Sequence, residues 1–447
     1  MSGRELPSGY LGLSLEYSAL PAYAGTNPNR PDPVFVALVR NLGPGQVLRI
    51  GGDSADWTWW PIPGEARPPG VTYNLGSGWV TLARTLHDEL GARFILALNL
   101  QADDTTVATV EAHRLLSGIG SHAIDAFELG NEPELYGQYP WYRNSQGTGV
   151  LGRPDTYSFT DFQADFARFS AALPHETLAG PTTGGVGWFS KLSQFLADQS
   201  RVRIVALHRY PLQLCHTSSQ AGNYPSVANL LGPEASTGFA DSFASVVSVA
   251  HGRGLPLRID ELNTVSCGAD PAVSQTFAAA LWVLDTLFEL DRVGVDGVHM
   301  HTFPGAGYEL FHGGAVSPEY YGLLAFARAD PAGSRLAGVA SDAPSDVKVW
   351  ATIGADGRER VVVINKDPNR SHTVRLALTG AHGDATLEFL TAPSVEDHGG
   401  VTLGGQSINP ATGRLDGPLS TTTVSAHSGR YPVTVPAGSA ALLALRR

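Results

Sequence analysis

Cysteine is scarce: the chain of 447 residues has two, Cys215 and Cys267. That excludes a disulfide-dense scaffold and a zinc site built on cysteines. Two readings stay open for the pair, independent thiols or a single bridge. Charge is sparse as well, at 16% of residues, and the 30 Lys and Arg are outnumbered by 42 Asp and Glu. A formal net charge of −12 argues against a nucleic-acid surface, which needs clustered cations. It also argues against a long basic groove for a heavily sulfated polymer. It does not bar an anionic sugar from a cleft locally rich in donors. No run of 18 apolar residues occurs, so no membrane-spanning helix and no membrane partner are expected. The opening Met-Ser-Gly-Arg-Glu-Leu-Pro lacks the apolar stretch of a signal peptide, so secretion or periplasmic export is expected only if a leader has been trimmed.

What is present is an alternation of short β-rich and amphipathic helical runs. Eight strands are expected: Tyr10–Tyr17, Val47–Gly51, Phe94–Leu100, Ala126–Leu129, Thr177–Gly180, Val202–His208, Leu255–Asp260 and Gly297–Thr302. Helical patterns lie between them, at Val34–Leu42, Trp79–Leu90, Phe162–Ala172, Phe189–Leu196, Phe239–Ala250 and Val273–Leu290. In the last, Phe277, Leu281, Leu284 and Phe288 recur at helical spacing. The alternation predicts an α/β chain folded as a (β/α)8 barrel over residues 9–330. After about Asp330 the helical period disappears. Short strands separated by Gly, Pro, Asn and Asp follow, at Val347–Thr352, Glu359–Ile364, Thr373–Leu378, Ala385–Leu390 and Ala440–Leu445. They predict an antiparallel β-sandwich over residues 335–447, with residues 1–8 a candidate extra strand for it.

Functional residues of such a barrel sit at the C-terminal ends of its strands. Polar residues recur there: Glu16; Asp53, Ser54 and Asp56; Asn131 and Glu132; His208 and Tyr210; Asp260, Glu261 and Asn263; His299 and His301. Glu132 ends the fourth strand and Glu261 the seventh. Those strands are not neighbours, so their end residues converge across the mouth. Two such carboxyls suit glycosidic cleavage with retention, one donating a proton and the other attacking the anomeric carbon. The pair must differ in proton affinity. Asn131 is placed to orient the substrate 2-hydroxyl, and His208 or Tyr210 to hold Glu261. Glu128 and Glu134 are expected as solvated, capping or structurally paired residues. Trp57, Trp59 and Trp60 are equally a sugar-stacking cluster or core. His299 and His301 lack a third ligand at recognisable spacing, so neither a metal nor any other cofactor is expected.

The motifs resemble a known family. Phe127-Glu128-Leu129-Gly130-Asn131-Glu132-Pro133 is similar to the Asn-Glu-Pro acid/base signature of the glycosidase clan with catalytic residues on strands four and seven. With Leu48-Arg49-Ile50-Gly51-Gly52, His208-Arg209-Tyr210, Asp260-Glu261-Leu262-Asn263 and Gly305-Ala306-Gly307-Tyr308, the barrel from Tyr10 to about Leu324 resembles glycoside hydrolase family 79, which holds β-glucuronidases and heparanases. The resemblance implies Glu132 as acid/base, Glu261 as nucleophile, and Glu16, Asp53 and Asn131 on sugar hydroxyls. It implies Gly307 and Tyr308 as donors to a glucuronate carboxylate, a charge-assisted contact that needs no basic residue. Two departures stand out. Thr264-Val265-Ser266-Cys267-Gly268 has no tyrosine where some members place one, leaving a weaker contact or Ser266 in its place, and Glu16 stands where some have Asp. Cys215 and Cys267 follow strands six and seven, whose loops are neighbours at the mouth, so a bridge between them is sterically feasible.

The expected function is a retaining exo-β-D-glucuronidase acting on a glucuronic-acid-containing glycan or glycoconjugate. The alternatives are an endo-acting heparanase-like enzyme, a neutral-sugar glycosidase of the same clan, and a non-catalytic carbohydrate-binding barrel. Exo action needs a blocked pocket, which the segment Gln138–Asp155 is placed to wall. Endo action needs an open cleft, where Arg143 and Arg153 would meet a polymer's anionic groups.

Overall fold

The computed structural model describes residues 3–378 and 383–446. Eight parallel strands close into a barrel: β1 Leu11–Glu16, β2 Val47–Gly51, β3 Arg93–Leu98, β4 Ile124–Leu129, β5 Leu178–Thr183, β6 Val202–His208, β7 Leu257–Leu262 and β8 Gly297–Thr302. Each pairs with its neighbours in chain order, and β1 closes the ring on β8 with Leu11 opposite Val298 and Leu15 opposite Thr302. The strands read as near-continuous apolar runs because helices cover their outer faces. Their inward residues differ. Small apolar side chains, Val47, Ile95, Ala126, Ala179 and Ala206, fill one layer. Ser14, Arg49, Glu128, His208, Asp260 and His301, all buried, lie further toward the C-terminal ends of the strands.

Local signals start the helices. Asp32 caps Pro33–Asn41 by accepting from Val34 N at 2.7 Å, with proline in the first turn. Ser158 and Asp161 form a reciprocal capping box for Phe159–Ala172. Three expected helices are each split in two. Phe189–Leu196 becomes Val186–Phe189 and Leu192–Asp198, and Phe239–Ala250 becomes Thr237–Asp241 and Ala244–His251. Val273–Leu290 becomes Pro271–Ser274 and Phe277–Val293, because the N–H groups of Phe277 and Ala278 donate to Asp397 O and Val395 O of the C-terminal domain and begin a new helix there. Helices Thr105–Ile119 and Pro318–Ala329, whose period is less plain in the sequence, complete the ring.

Beyond the barrel, an antiparallel sheet runs in the order Arg335–Ala337, Val347–Ile353, Arg358–Asn365, Ser439–Arg446, Ala385–Thr391 and Thr402–Leu403. A second pair, His372–Leu376 with Tyr431–Val435, faces it. Alternation along Arg358–Asn365 sends Val361 and Val363 into the sandwich core and Val362 and Ile364 against the barrel. Residues 3–8 form no strand. They run beside the interdomain connection, where Leu6 N donates to Ser334 O at 2.7 Å and Gly333 N to Leu6 O at 2.8 Å. Met1, Ser2 and Arg447 lie outside the described residues.

Helix Phe277–Val293 is the seam between the domains. On it Asp285, fully buried, accepts from Lys366 Nζ at 2.7 Å and from Trp350 Nε1 at 2.8 Å, both from the sandwich. Trp350 also stacks on Phe288 with ring centres 5.5 Å apart. Removing one partner strands a buried charge. Lys366→Ala is therefore expected to lower unfolding free energy by about 3–5 kcal/mol, and Lys366→Met with Asp285→Leu to recover most of that loss. Chemical denaturation of the three proteins checks this; an unchanged midpoint in Lys366→Ala would refute it.

Candidate active site

β4 ends at Leu129, and the chain turns through Gly130 and Asn131 into Glu132, whose backbone is left-handed (φ 46°, ψ 56°). That conformation is strained for a side chain larger than glycine. It is held by Glu132 N donating to Thr182 O at 3.0 Å and by Pro133, which opens the next turn. The Glu132 side chain stays 24% exposed, whereas that of Glu261, inside β7, is 10% exposed. One carboxylate oxygen of each and a ring nitrogen of His208 all lie within 4.8 Å of one another. His208 Nδ1 sits 3.2 Å from Glu132 Oε1 and 3.9 Å from Glu261 Oε2.

Arg49, mid-strand in β2 and fully buried, organises the floor. Its Nε donates to Glu128 Oε2 at 2.9 Å, Nη1 to Glu261 Oε2 at 2.9 Å, and Nη2 to Asn131 Oδ1 at 2.9 Å. Tyr210 OH donates to the other oxygen of Glu261 at 2.9 Å. Both oxygens of Glu261 are thus held by donors, which fixes the carboxylate plane.

These neighbours set its charge. Burial disfavours an ionised Glu261, but the charges of His301, His208 and Arg49 and the Tyr210 hydrogen bond outweigh it and hold the carboxyl down at about 2. His208 is driven the other way: burial disfavours its cation, yet Asp260 and Glu261 raise its proton affinity well above the ordinary range. Asp260 lies beneath, 3.5 Å from His208 Nε2. Burial, then the charges of Glu16, Glu261 and Glu132, push Asp53 up to about 7.

The other expected residues gather round this centre. Asn131 Nδ2 donates to Asp53 Oδ1 at 3.2 Å. Glu16 Oε2 accepts from Ser54 N at 2.8 Å, and Oε1 lies 3.6 Å from His301 Nε2. Glycine suits position 52, whose backbone is left-handed (φ 68°), and a Cβ there would displace the Glu16 carboxylate, 2.2 Å away. The Tyr308 ring lies 6.0 Å from that of Tyr210 and 5.9 Å from His301; Gly307 precedes it, with its carbonyl held by Gln275 Nε2 at 3.2 Å.

Where the sequence left alternatives open, the structure takes one of them. Glu128 and Glu134 are buried, not solvated: the first pairs with Arg49, and the second accepts from Gly184 N at 2.7 Å and Gly185 N at 2.5 Å. Trp59 is core, donating to Asn74 Oδ1, and Trp60 lies half-buried near the Arg114 guanidinium; Trp57 alone of the three is exposed. Arg153 is buried and bound to Asp165 Oδ2 at 2.8 Å, and Arg143 donates to Gly147 O at 2.9 Å. Ser266 Oγ turns to Leu212 O at 3.4 Å, inside a short pairing of Leu212–Gln213 with Val265–Ser266. Cys215 and Cys267 are joined as a disulfide that extends this pairing.

Two participants went unassigned from sequence, Arg49 and His301. Each is an ionisable residue within an apolar barrel strand, where it must find a buried partner. Metal-like clusters of donors occur at Glu132, His208 and Glu261 and at Asp346, Asp367 and His372. In the first, the guanidinium of Arg49 already neutralises Glu261.

Residues 349–442 match the family model described as the glycosyl hydrolase family 79 C-terminal beta domain. A curated β-glucuronidase of Neurospora crassa is 24% identical over 335 residues, covering 65% of this chain. The chain spans only 56% of that protein's length. A 4-O-α-L-rhamnosyl-β-D-glucuronidase from Fusarium oxysporum 12S superposes with a TM-score of 0.76 at 20% identity, covering 99% of this chain and 97% of that one. A family 51 arabinofuranosidase from Xanthomonas axonopodis pv. citri superposes at 0.66 with 14% identity, covering 99% and 97%. Likeness at such identities speaks for the shared barrel-and-sandwich fold alone. The more specific signal is the C-terminal domain, residues 349–442, which is similar to that of glycoside hydrolase family 79.

Proposed function

We propose that the protein is a retaining exo-β-D-glucuronidase, releasing terminal glucuronic acid from glycans or glycoconjugates by double displacement. The observation that carries this reading is the approach of Glu132 and Glu261 oxygens to within 4.8 Å in unequal surroundings. Retaining enzymes separate their carboxyls by roughly 5–5.5 Å, too little for an intervening water. Glu261, kept ionised by its cationic neighbours, attacks the anomeric carbon. Glu132, open to the mouth, gives its proton to the departing oxygen as the glycosidic bond breaks. A water then enters, loses a proton to Glu132 and displaces Glu261 from the sugar, restoring both groups.

Asn131, fixed by Arg49 and Asp53, faces the 2-hydroxyl. Glu16 and Asp53 take the other ring hydroxyls. The phenol of Tyr308 and the backbone at Gly307 receive the uronate carboxylate, so a net acidic chain binds an acidic sugar through donors. Exo action is favoured by the ties across the mouth. The hairpin of Pro140–Arg143 with Gly149–Leu151 follows β4, and Tyr139 OH joins it to His216 at 2.5 Å. The Cys215–Cys267 bridge then links the loops after β6 and β7. The endo alternative loses one of its two proposed anion contacts, since Arg153 is internally bound.

Hydrolysis of p-nitrophenyl β-D-glucuronide beside the β-D-glucoside, β-D-xyloside and α-L-arabinofuranoside tests the reading. A glucuronide preference is expected, and Tyr308→Phe is expected to reduce it by about tenfold. Preference for a neutral sugar, or equal losses on both classes, would remove the carboxylate assignment. Glu132→Ala is expected to slow alkyl glucuronides at least about a hundredfold while sparing aryl substrates with good leaving groups. Uniform slowing would show that Glu132 is not the proton donor. His301→Phe removes the foremost charge lowering Glu261, so the acid limb of kcat/KM is expected to move up by about one pH unit. An unmoved limb would mean that Glu261 does not govern it.

A further inference from the structure

Six large apolar side chains are exposed among the described residues: Trp57, Tyr139, Leu151, Val186, Leu214 and Leu419. Leu419 lies on the sandwich. The other five lie on loops at the catalytic end, after β2, β4, β5 and β6. Single exposed apolar residues are ordinary, but here five of the six stand on loops at one end of the barrel, and three of those, Leu151, Val186 and Leu214, are aliphatic.

The rim follows the proposed acid/base rather than the proposed nucleophile. Val186 stands two residues beyond Gly184, where a Cβ would come within 2.6 Å of Glu132 Oε1. Tyr139 N donates to Leu135 O at 3.0 Å, at the end of the turn that begins just after Glu132. Leu214 lies on the loop that continues from His208, the hydrogen-bond partner of Glu132, and is followed by bridged Cys215 and by His216, which meets the Tyr139 hydroxyl. Trp57 ends the short helix Ser54–Trp57, and Trp141 Nε1 of the hairpin donates to Asp56 O of that helix at 3.1 Å.

The departing oxygen is protonated at Glu132, so the group it carries leaves over these loops. Aliphatic side chains such as Val186, Leu214 and Leu151 offer neither a flat π face for a sugar ring nor donors for hydroxyls. They stabilise carbon removed from water. We infer that the leaving-group side of this site is built for an apolar alcohol, aryl, alkyl or polycyclic. The substrates are then glucuronide conjugates of hydrophobic compounds rather than internal bonds of an anionic polysaccharide. The inference rests on the glucuronidase reading and adds the identity of the aglycone.

Methyl, butyl and hexyl β-D-glucuronides have leaving groups of nearly equal basicity, so differences among them report contact and not chemistry. Full burial of a methylene is worth about fourfold. The expected result is a rise in kcat/KM of at least about tenfold from methyl to hexyl, with the hexyl-to-methyl ratio cut at least about fivefold in Val186→Ser combined with Leu214→Ser. Calorimetric binding of the same ligands and of hexyl β-D-glucoside to Glu261→Gln repeats the comparison without turnover. Active hydrolysis with a flat series, or a ratio indifferent to the double substitution, overturns the apolar subsite. A rising series on glucosides with no action on glucuronides keeps the subsite and removes the uronate reading. No binding of either hexyl glycoside overturns both.

Discussion

A single buried guanidinium fixes the floor of the mouth. Arg49 is fully enclosed in the barrel, and an unpaired charge there would be prohibitive. Its planar fork is therefore committed in three directions, to Glu128, Glu261 and Asn131. Those contacts join β2 to the ends of β4 and β7, the two strands that bring the paired glutamates together. One cation thus neutralises the floor, fixes the plane of Glu261 and aims Asn131 at once. Lysine, a point charge without the fork, would satisfy one of these demands and abandon the others.

Around that centre the charges are graded. Glu261 sits among positive groups and stays ionised far below neutrality, while Asp53, facing other carboxylates in a buried position, holds its proton to about 7. Two acids of similar intrinsic strength are separated by environment alone. His208 spans the contrast, with Asp260 beneath it and Glu132 above.

Much of the architecture was legible because the barrel writes its period plainly. Runs such as Ala126–Leu129 and Val202–Leu207 carry their own boundaries, and the polar residues just beyond each mark the mouth. Glu132 and Glu261 stood out for that reason. What was hidden depends on partners far away in sequence. Arg49 looked like one letter of a motif, and its role emerges only with Glu128 and Glu261 beside it, 79 and 212 residues on. His301, near the end of its strand, shows in sequence only as half of a histidine pair, and its role appears once β8 closes on β1 and brings it to Glu16. The break before Phe277 answers to carbonyls at Val395 and Asp397, which no local pattern announces.

The approach of Gly184 to Glu132 has a consequence for how this scaffold diverges. With the carboxylate so near, a side chain at this position would push the Glu132 carboxylate from its place, so the root of the β5 loop is tied to the proton donor while Val186, two residues on, stands exposed. The β6 loop is pinned likewise, by the Cys215–Cys267 bridge, with Leu214 at its crest. Bond-breaking and aglycone choice therefore sit on separable parts of the same loops. A lineage can exchange one leaving group for another through crest residues alone, leaving the proton donor where it is.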